Sequence, residues 1–346
     1  MKAISLVEPK CLKVIDIPEP VMGPEDVLIE LRYVGLCGSD LSAYRGLSPL
    51  VTYPRILGHE ASGVVIAKGD KVPDGVRIGT NVTISPYTNC GICPACRMGR
   101  VNACQFNKTL GVQRDGALTE RIAVHYRNAH SSDVLTLQEL ALVEPMSVGY
   151  HATNRGRISE VDTVLVLGCG AIGLGAVAAS SHKGAVVIAV DIDDAKLELA
   201  SKLGAAHTIN STTDGVKDRI DALTDNEGVS VVIEAVGLPE TYRTAIERVA
   251  FAGRVVFIGY AKGEIALQTA SIVSKELDVY GSRNALQVFP SVIKMLEGRD
   301  RPFTDLISCV IPFPETFRAF EDWSSAPQRF TKILIEMPTN IGNPII

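Results

Sequence analysis

Thr163-Val164-Leu165-Val166-Leu167-Gly168-Cys169-Gly170-Ala171-Ile172-Gly173 is the stretch that decides how this chain folds. Its first five residues form a continuous apolar run, the pattern of a parallel strand buried on both faces. The glycines that follow are spaced G-x-G-x-x-G and open a helical segment, Ala171 to Lys183. Gly168 permits a tight turn, Gly170 lets the backbone approach a pyrophosphate, and Gly173 lets helix and strand pack closely. The helix N-terminus then faces the negative charge. An ordinary tight turn can carry the same glycines, so the context matters. Asp191 closes the next strand about 20 residues on, where an acid binds ribose hydroxyls. A carboxylate there repels a 2′-phosphate, and Ile192 and Asp193 offer no arginine to receive one. The expected cofactor is NAD rather than NADP.

Working outward, the same alternation continues. Strands are expected at Ala185–Val190, Val231–Ile233, Arg254–Phe257 and Leu277–Tyr280, with helices at Asp194–Leu203, Thr213–Leu223 and Pro239–Val249. Strand, helix, strand in this rhythm implies a doubly wound α/β domain. Before residue 150 the character differs. Short β-rich runs such as Val27–Leu31, Gly63–Ala67 and Asn81–Ile84 alternate with Gly and Pro, as in a barrel or sandwich. After Gly281 two helices, Phe289–Glu297 and Glu315–Ser324, precede a strand at Thr331–Glu336 that is expected to return to the first domain. The division expected is therefore 1–150 completed by 285–346, with 151–284 between them. The tail after Pro338 carries no readable signal.

Composition narrows the function. Hydrophobic residues are 46% and charged residues 21% of 346, the balance of a globular protein with room for two cores. A net charge of −5 argues against nucleic acid as partner. The sequence has no run of 18 apolar residues to span a bilayer, and the segment before Glu8-Pro9 is too short for a secretory signal. A cytoplasmic protein is expected. In a reducing cytosol clustered cysteines point to metal or catalysis.

Four of the eight cysteines lie within fifteen residues, as Cys90-x2-Cys93-x2-Cys96-x7-Cys104. Four thiolates in one loop suit a closed, structural zinc. An iron–sulfur cluster is the competing use of such spacing, though nothing else in the chain suggests electron transfer. A catalytic zinc needs three protein ligands and a vacancy. Dispersed candidates are Cys37, His59 and Glu144. Taken singly, each has a plainer role: a small buried hydrophobe, a satisfied core histidine, a helix-start carboxylate.

Taken together, Gly35-Leu36-Cys37-Gly38-Ser39-Asp40, Leu57-Gly58-His59-Glu60-Ala61-Ser62-Gly63, the four-cysteine lobe and the glycine loop resemble the medium-chain, zinc-containing alcohol dehydrogenase superfamily over essentially the whole chain. The stretch Glu144-Pro145-Met146-Ser147-Val148-Gly149-Tyr150-His151-Ala152 is similar to its sorbitol (polyol) branch, with sugar-acid dehydrogenases nearby. The resemblance implies a GroES-like catalytic domain, a Rossmann domain, and a cleft holding zinc and nicotinamide. It implies that Cys37 and His59 ligate zinc, with Glu60 and Glu144 both in the site and unranked as direct ligands. Ser39 matches the hydroxyl that passes on the substrate proton. Where many relatives carry a relay histidine this chain has Ser42, so water is expected to finish the relay. Arg283 matches an arginine lining the substrate and cofactor cleft. Ile172, Lys196, Ile258 and Gly259 fall where relatives touch the cofactor, and Asn284 lies beside Arg283.

The expected function is zinc-dependent oxidation of a secondary alcohol of a polyol, sugar or sugar acid, with NAD as hydride acceptor and two zinc ions per chain. Gln113, Arg114, Arg283 and Asn284 are candidate substrate contacts, the first two having solvated loop roles as the alternative. Arg45 or Arg114 in the pocket would favour an acid or a phosphate. Competing readings are a threonine or simple alcohol dehydrogenase, a zinc-free reductase, and a non-catalytic protein keeping the fold. A homodimer or homotetramer is expected by resemblance.

Overall fold

The computed structural model describes residues 1–338, so the tail after Pro338 and the end of the expected 285–346 segment lie outside the described residues. The chain divides into two compact units. One comprises Met1–Glu144 and the residues from Ile307 on, the other Pro145–Leu306.

The first unit is built on the strand Asp26–Leu36. Val27, Ile29 and Leu31 alternate along it and are fully buried, a period of two that turns one face to the core. This strand pairs antiparallel with Glu60–Lys68 on one edge. Its other edge is shared. The first half pairs with Arg121–His125 and the second with Lys332–Glu336. The C-terminal segment thus completes the N-terminal core, to which it contributes Phe313, Phe320, Trp323, Ile333 and Ile335. Each such side chain, fully buried, contributes about 1.5–3 kcal/mol. Lys2–Glu8, Cys11–Asp16 and Arg55–Ile56 form a smaller antiparallel sheet.

The second unit is a six-stranded parallel sheet. From edge to edge its strands are His207–Asn210, Val186–Asp191, Thr163–Leu167, Val229–Glu234, Val249–Phe257 and Asp278–Gly281. In chain order that is 3-2-1-4-5-6, the doubly wound arrangement. Val164, Leu165 and Val166 are fully buried on consecutive positions, as a strand covered on both faces requires.

Three local features differ from the expectation. His207–Asn210 is an additional edge strand; its sequence, His-Thr-Ile-Asn, has one strongly apolar residue because only an edge is being covered. The helix expected from Thr213 begins at Val216, since Thr212 and Asp214 are engaged in a turn around Asn210. Val143–Arg155 is a helix although it contains a proline and a glycine. Pro145 sits in its first turn, where no N–H is required. Gly149 is a close-approach site, for an added Cβ would lie 2.4 Å from the backbone nitrogen of Ala176.

The helix Phe289–Glu297 and the chain to Leu306 group with the second unit, whereas the sequence expectation put residues from 285 on with the first. The tethers are specific. Arg301 donates to Ser181 Oγ at 2.9 Å and Asp305 pairs with Lys202 at 3.5 Å.

Candidate active site

In the first unit two turns bring a thiol and an imidazole together. Cys37 follows the strand Asp26–Leu36 and caps the short helix Gly38–Tyr44. His59 precedes the strand Glu60–Lys68, after Gly58, whose φ of +92° favours glycine. One buried carboxylate ties the turns to each other. Asp40 accepts from the Cys37 N–H at 2.9 Å and from the Gly58 N–H at 3.2 Å. Gly35 stands opposite Glu60 in the ladder, and a Cβ there would come within 2.4 Å of Glu60 Oε2. Glycine at 35 is what lets the acid point inward.

The result is that ligand atoms of Cys37, His59 and Glu60 all lie within 4.8 Å of one another. Glu144 enters the same pocket from the first turn of Val143–Arg155, where it accepts a hydrogen bond from the Tyr87 hydroxyl. Lys332 forms a fully enclosed ion pair with Glu60 and donates to the Leu36 carbonyl at 3.1 Å. It is 3% exposed, so its charge depends on that partner.

The pocket's field favours cations. Burial opposes a charged His59, but Cys37, Asp40 and Glu144 outweigh it and lift the imidazole well above its usual range. At Lys332 burial is likewise overcome by Glu60, Cys37 and Glu144. Burial pushes the Glu144 carboxyl up, with His59 opposing. His59 Nδ1 and Ser39 Oγ are buried with no hydrogen-bond partner among the described residues; the nearest Asp40 oxygen is 3.9 Å from that nitrogen. A thiol, an imidazole and a carboxylate converging in a cation-favouring cavity fit a divalent zinc-type ion.

The four-cysteine loop converges as well. Sulfur–sulfur distances are 3.5 Å for Cys93–Cys96, 3.6 Å for Cys104–Cys90, 3.8 Å for Cys93–Cys104 and 4.0 Å for Cys90–Cys96. A tetrahedron with Zn–S near 2.3 Å has edges of about 3.8 Å. Those separations fit four sulfurs on one ion; a multi-iron cluster would spread them over more than one metal and hold some of them farther apart. Backbone N–H groups of Cys90, Cys93 and Phe106 donate to the sulfurs at 3.3–3.4 Å.

In the second unit the glycine loop has the geometry that its spacing requires. Gly168 has φ +94°, and a Cβ at Gly173 would sit 1.8 Å from the Gly168 carbonyl oxygen. Asp191 accepts from the N–H groups of Cys169 at 2.6 Å, Ile192 at 2.8 Å and Asp193 at 3.1 Å. A cavity of about 610 Å³ opens beside them, lined by Gly168, Gly170, Asp191, Ile192 and Lys196 among others. Ile172, Gly173, Ile258, Gly259, Arg283 and Asn284 are not part of that lining. Arg283 and Asn284 follow the edge strand Asp278–Gly281 in the same unit.

The candidate substrate contacts of the first unit are engaged with the chain. Gln113 Oε1 accepts from the Thr109 N–H at 2.9 Å, and Arg114 donates to the Lys108 carbonyl at 3.1 Å. Arg45 donates to Ser324 Oγ at 3.1 Å. Four neighbours of these candidate sites escaped the sequence reading: Asp40, Tyr87, Lys332 and Glu234. Asp40 had a signal, being three residues past Cys37 at a helix start. Lys332 had a weaker one, a charge opening the apolar run Ile333–Ile335. Glu234 is fully buried and accepts from the N–H groups of Val236 and Gly237 at 2.8 and 2.7 Å, so it shapes the loop beside the cavity. Nothing local marked Tyr87.

Comparison with known proteins identifies the family of both units. Residues 23–133 match the alcohol dehydrogenase GroES-like domain, and residues 171–298 match the zinc-binding dehydrogenase domain. A zinc-type alcohol dehydrogenase-like protein of Haemophilus influenzae is 38% identical over 96% of this chain and 98% of its own. Sorbitol dehydrogenase of Bacillus subtilis is 35% identical over 86% of each chain. Among solved structures, galactitol-1-phosphate dehydrogenase from Escherichia coli superposes with a TM-score of 0.89 at 29% identity, covering 97% of this chain and 100% of that one. No helix among the described residues is long and apolar enough to cross a membrane.

Proposed function

The chain belongs to the zinc-containing medium-chain dehydrogenase superfamily, in its polyol and sugar branch, and from that premise we propose that it oxidises a secondary alcohol of a polyol or sugar acid to a ketone with NAD⁺. The observation that carries this reading is the convergence of Cys37, His59 and Glu60 in one buried pocket, with Ser39 Oγ unpartnered two residues from the thiol.

Zinc bound by Cys37, His59 and an acid, Glu60 or Glu144, would supply the Lewis acidity that makes an alcohol proton labile near neutral pH. Cys37 and His59 would hold it; Asp40 fixes the two turns from which they project. Ser39 Oγ takes the hydroxyl proton and passes it on, water completing the transfer where Ser42 replaces a histidine. NAD⁺ held beside the glycine loop and Asp191 would supply the hydride acceptor, so that an alcohol losing one proton and one hydride would give ketone, NADH and one proton to solvent. Four thiolates at Cys90, Cys93, Cys96 and Cys104 would hold the second zinc, with no open position for chemistry.

Preference for NAD is supported by Asp191, a carboxylate at the cavity wall where NADP would place a phosphate. Arg283, Asn284, Ile172, Ile258 and Gly259 are proposed to contact nicotinamide or substrate. Among the described residues the strand Asp278–Gly281 has a neighbour on one side only, which supports edge-to-edge pairing of two copies. None of the eight cysteines is in a disulfide, which supports a reducing, cytoplasmic setting.

The test is NAD⁺ and NADP⁺ reduction over a panel of polyols, aldonates, their phosphates, L-threonine and simple alcohols. NADH formation with a polyol or aldonate is expected. Turnover confined to threonine or simple alcohols would replace the substrate assignment, and preference for NADP⁺ would remove Asp191 from its role.

A further inference from the structure

We propose that Tyr87 is a positioning residue of this metal site: its phenol hydroxyl, donating to Glu144 Oε1, fixes how that acid presents itself to the ion. The inference rests on the reading of Cys37 and His59 as metal ligands and deepens it.

Two acids face one pocket, and each is held by a different kind of partner. Glu60 is paired with the Lys332 ammonium, so its charge is balanced within the ladder itself. Glu144 receives a neutral phenol donor. A neutral donor orients a carboxylate and occupies one lone pair without cancelling its charge. Carboxylates at metal sites are hydrogen-bonded in this way, and losing such an outer partner weakens metal binding about 10–100-fold.

The position of Tyr87 is fixed from both sides. Upstream, Asn128 Nδ2 donates to the carbonyls of Ser85 and Tyr87 at 3.0 and 3.1 Å. Downstream, the Thr88 N–H donates to Asn107 Oδ1 at 3.1 Å, and the Lys108 N–H donates to Thr88 Oγ1 at 2.7 Å. Cys90 then opens the four-thiolate loop, its N–H reaching Cys104 Sγ at 3.4 Å. The phenol is therefore presented by a backbone that the cysteine lobe anchors.

Tyr87→Phe removes the one atom that makes the contact. The readout is the visible ligand-field spectrum of Co²⁺ exchanged into the Cys37–His59 site of the full-length holoenzyme, together with chelator competition for that ion. Tyr87→Phe should shift the cobalt bands and weaken metal retention there by about 10–100-fold. The metal equivalent in the cysteine lobe and the thermal midpoint should stay at parent values. In a Glu144→Gln background, Tyr87→Phe should add little. Bands and affinity identical to the parent, or effects of the two substitutions that simply add, would overturn the inference. Parent protein that takes up no metal at Cys37 and His59 would sink the underlying site as well; a parent that loads normally beside an indistinguishable Tyr87→Phe sinks this inference alone.

Discussion

Two regions of the first unit gather donor atoms around a point, and they do so by opposite means. The cysteine lobe draws every donor from residues 90–104 and rides at the surface, with Ile92 and Met98 each 73% exposed beside it. The Cys37 pocket draws on two turns, a helix start and a strand from the far end of the chain, and buries charge in doing so. A closed loop with four identical ligands can hold an ion but offers no place for a substrate. A mixed, assembled pocket leaves room for chemistry, at the cost of needing Asp40, Tyr87 and Lys332 to keep its charges in place. On the proposed reading, the first would fasten a loop and the second would hold the reacting alcohol.

The sharpest way to break that comparison is Cys37→Ser. Turnover should fall about a thousandfold or more, equivalent to several kcal/mol of lost transition-state stabilisation. Metal analysis should show one equivalent retained, in the lobe, and NADH binding followed by fluorescence should be unchanged. Near-normal turnover from such a protein freed of its remaining metal would overturn the assigned chemistry.

Cys96→Ser probes the other side. Opening the lobe should lower stability by about 5 kcal/mol and the thermal midpoint by roughly 10–15 °C. Calorimetry reads this directly. A variant that keeps its midpoint yet loses turnover would merge the two regions functionally.

Lys332→Met asks how much the assembled pocket depends on charge balance. Removing one member of a buried ion pair costs about 3–5 kcal/mol, because the other is left uncompensated. Urea unfolding should show that loss, and Lys332→Met combined with Glu60→Gln should recover most of it. Equal destabilisation of the single and double variants would mean that the pair is not coupled.

The smallest effect is pH-dependent. His130 lies on Ala129–Ser131, paired with the strand that leads toward Tyr87, and burial pushes its imidazole down to about 4. The unfolded chain binds the proton near 6.5. Between those values the unfolded state holds more protons, so stability rises with pH and is lost as pH falls from about 6.5 toward 4. His130→Asn should flatten that slope by about 1–2 kcal/mol across the window, less than the full shift because the ring is partly exposed. An unchanged stability profile between pH 4 and 7 would show that this strand does not feel the titration.

What was legible in the sequence follows the same division. The lobe could be read because its ligands share one loop, and the glycine loop because turn, approach and packing each demand glycine within six residues. The parallel strands could be read because burial on both faces leaves unbroken apolar runs. Lys332 could not, since 272 residues separate it from Glu60 and only the folded ladder joins them. Tyr87 could not, because an aromatic beside a proline has many uses and its partner is 57 residues away. The helix Val143–Arg155 was legible only as a helix-start alternative for Glu144, because Pro145 and Gly149 read as breakers yet serve its first turn and its close packing.

The return of Lys332 to the sheet sets an order of events during synthesis. Glu60 leaves the ribosome 272 residues before its counter-charge, an interval of roughly 15–55 s at about 5–20 residues per second. Until then the nascent N-terminal half has an open sheet edge and an unneutralised acid. Its pocket matures only after Lys332 has been made and has joined the sheet.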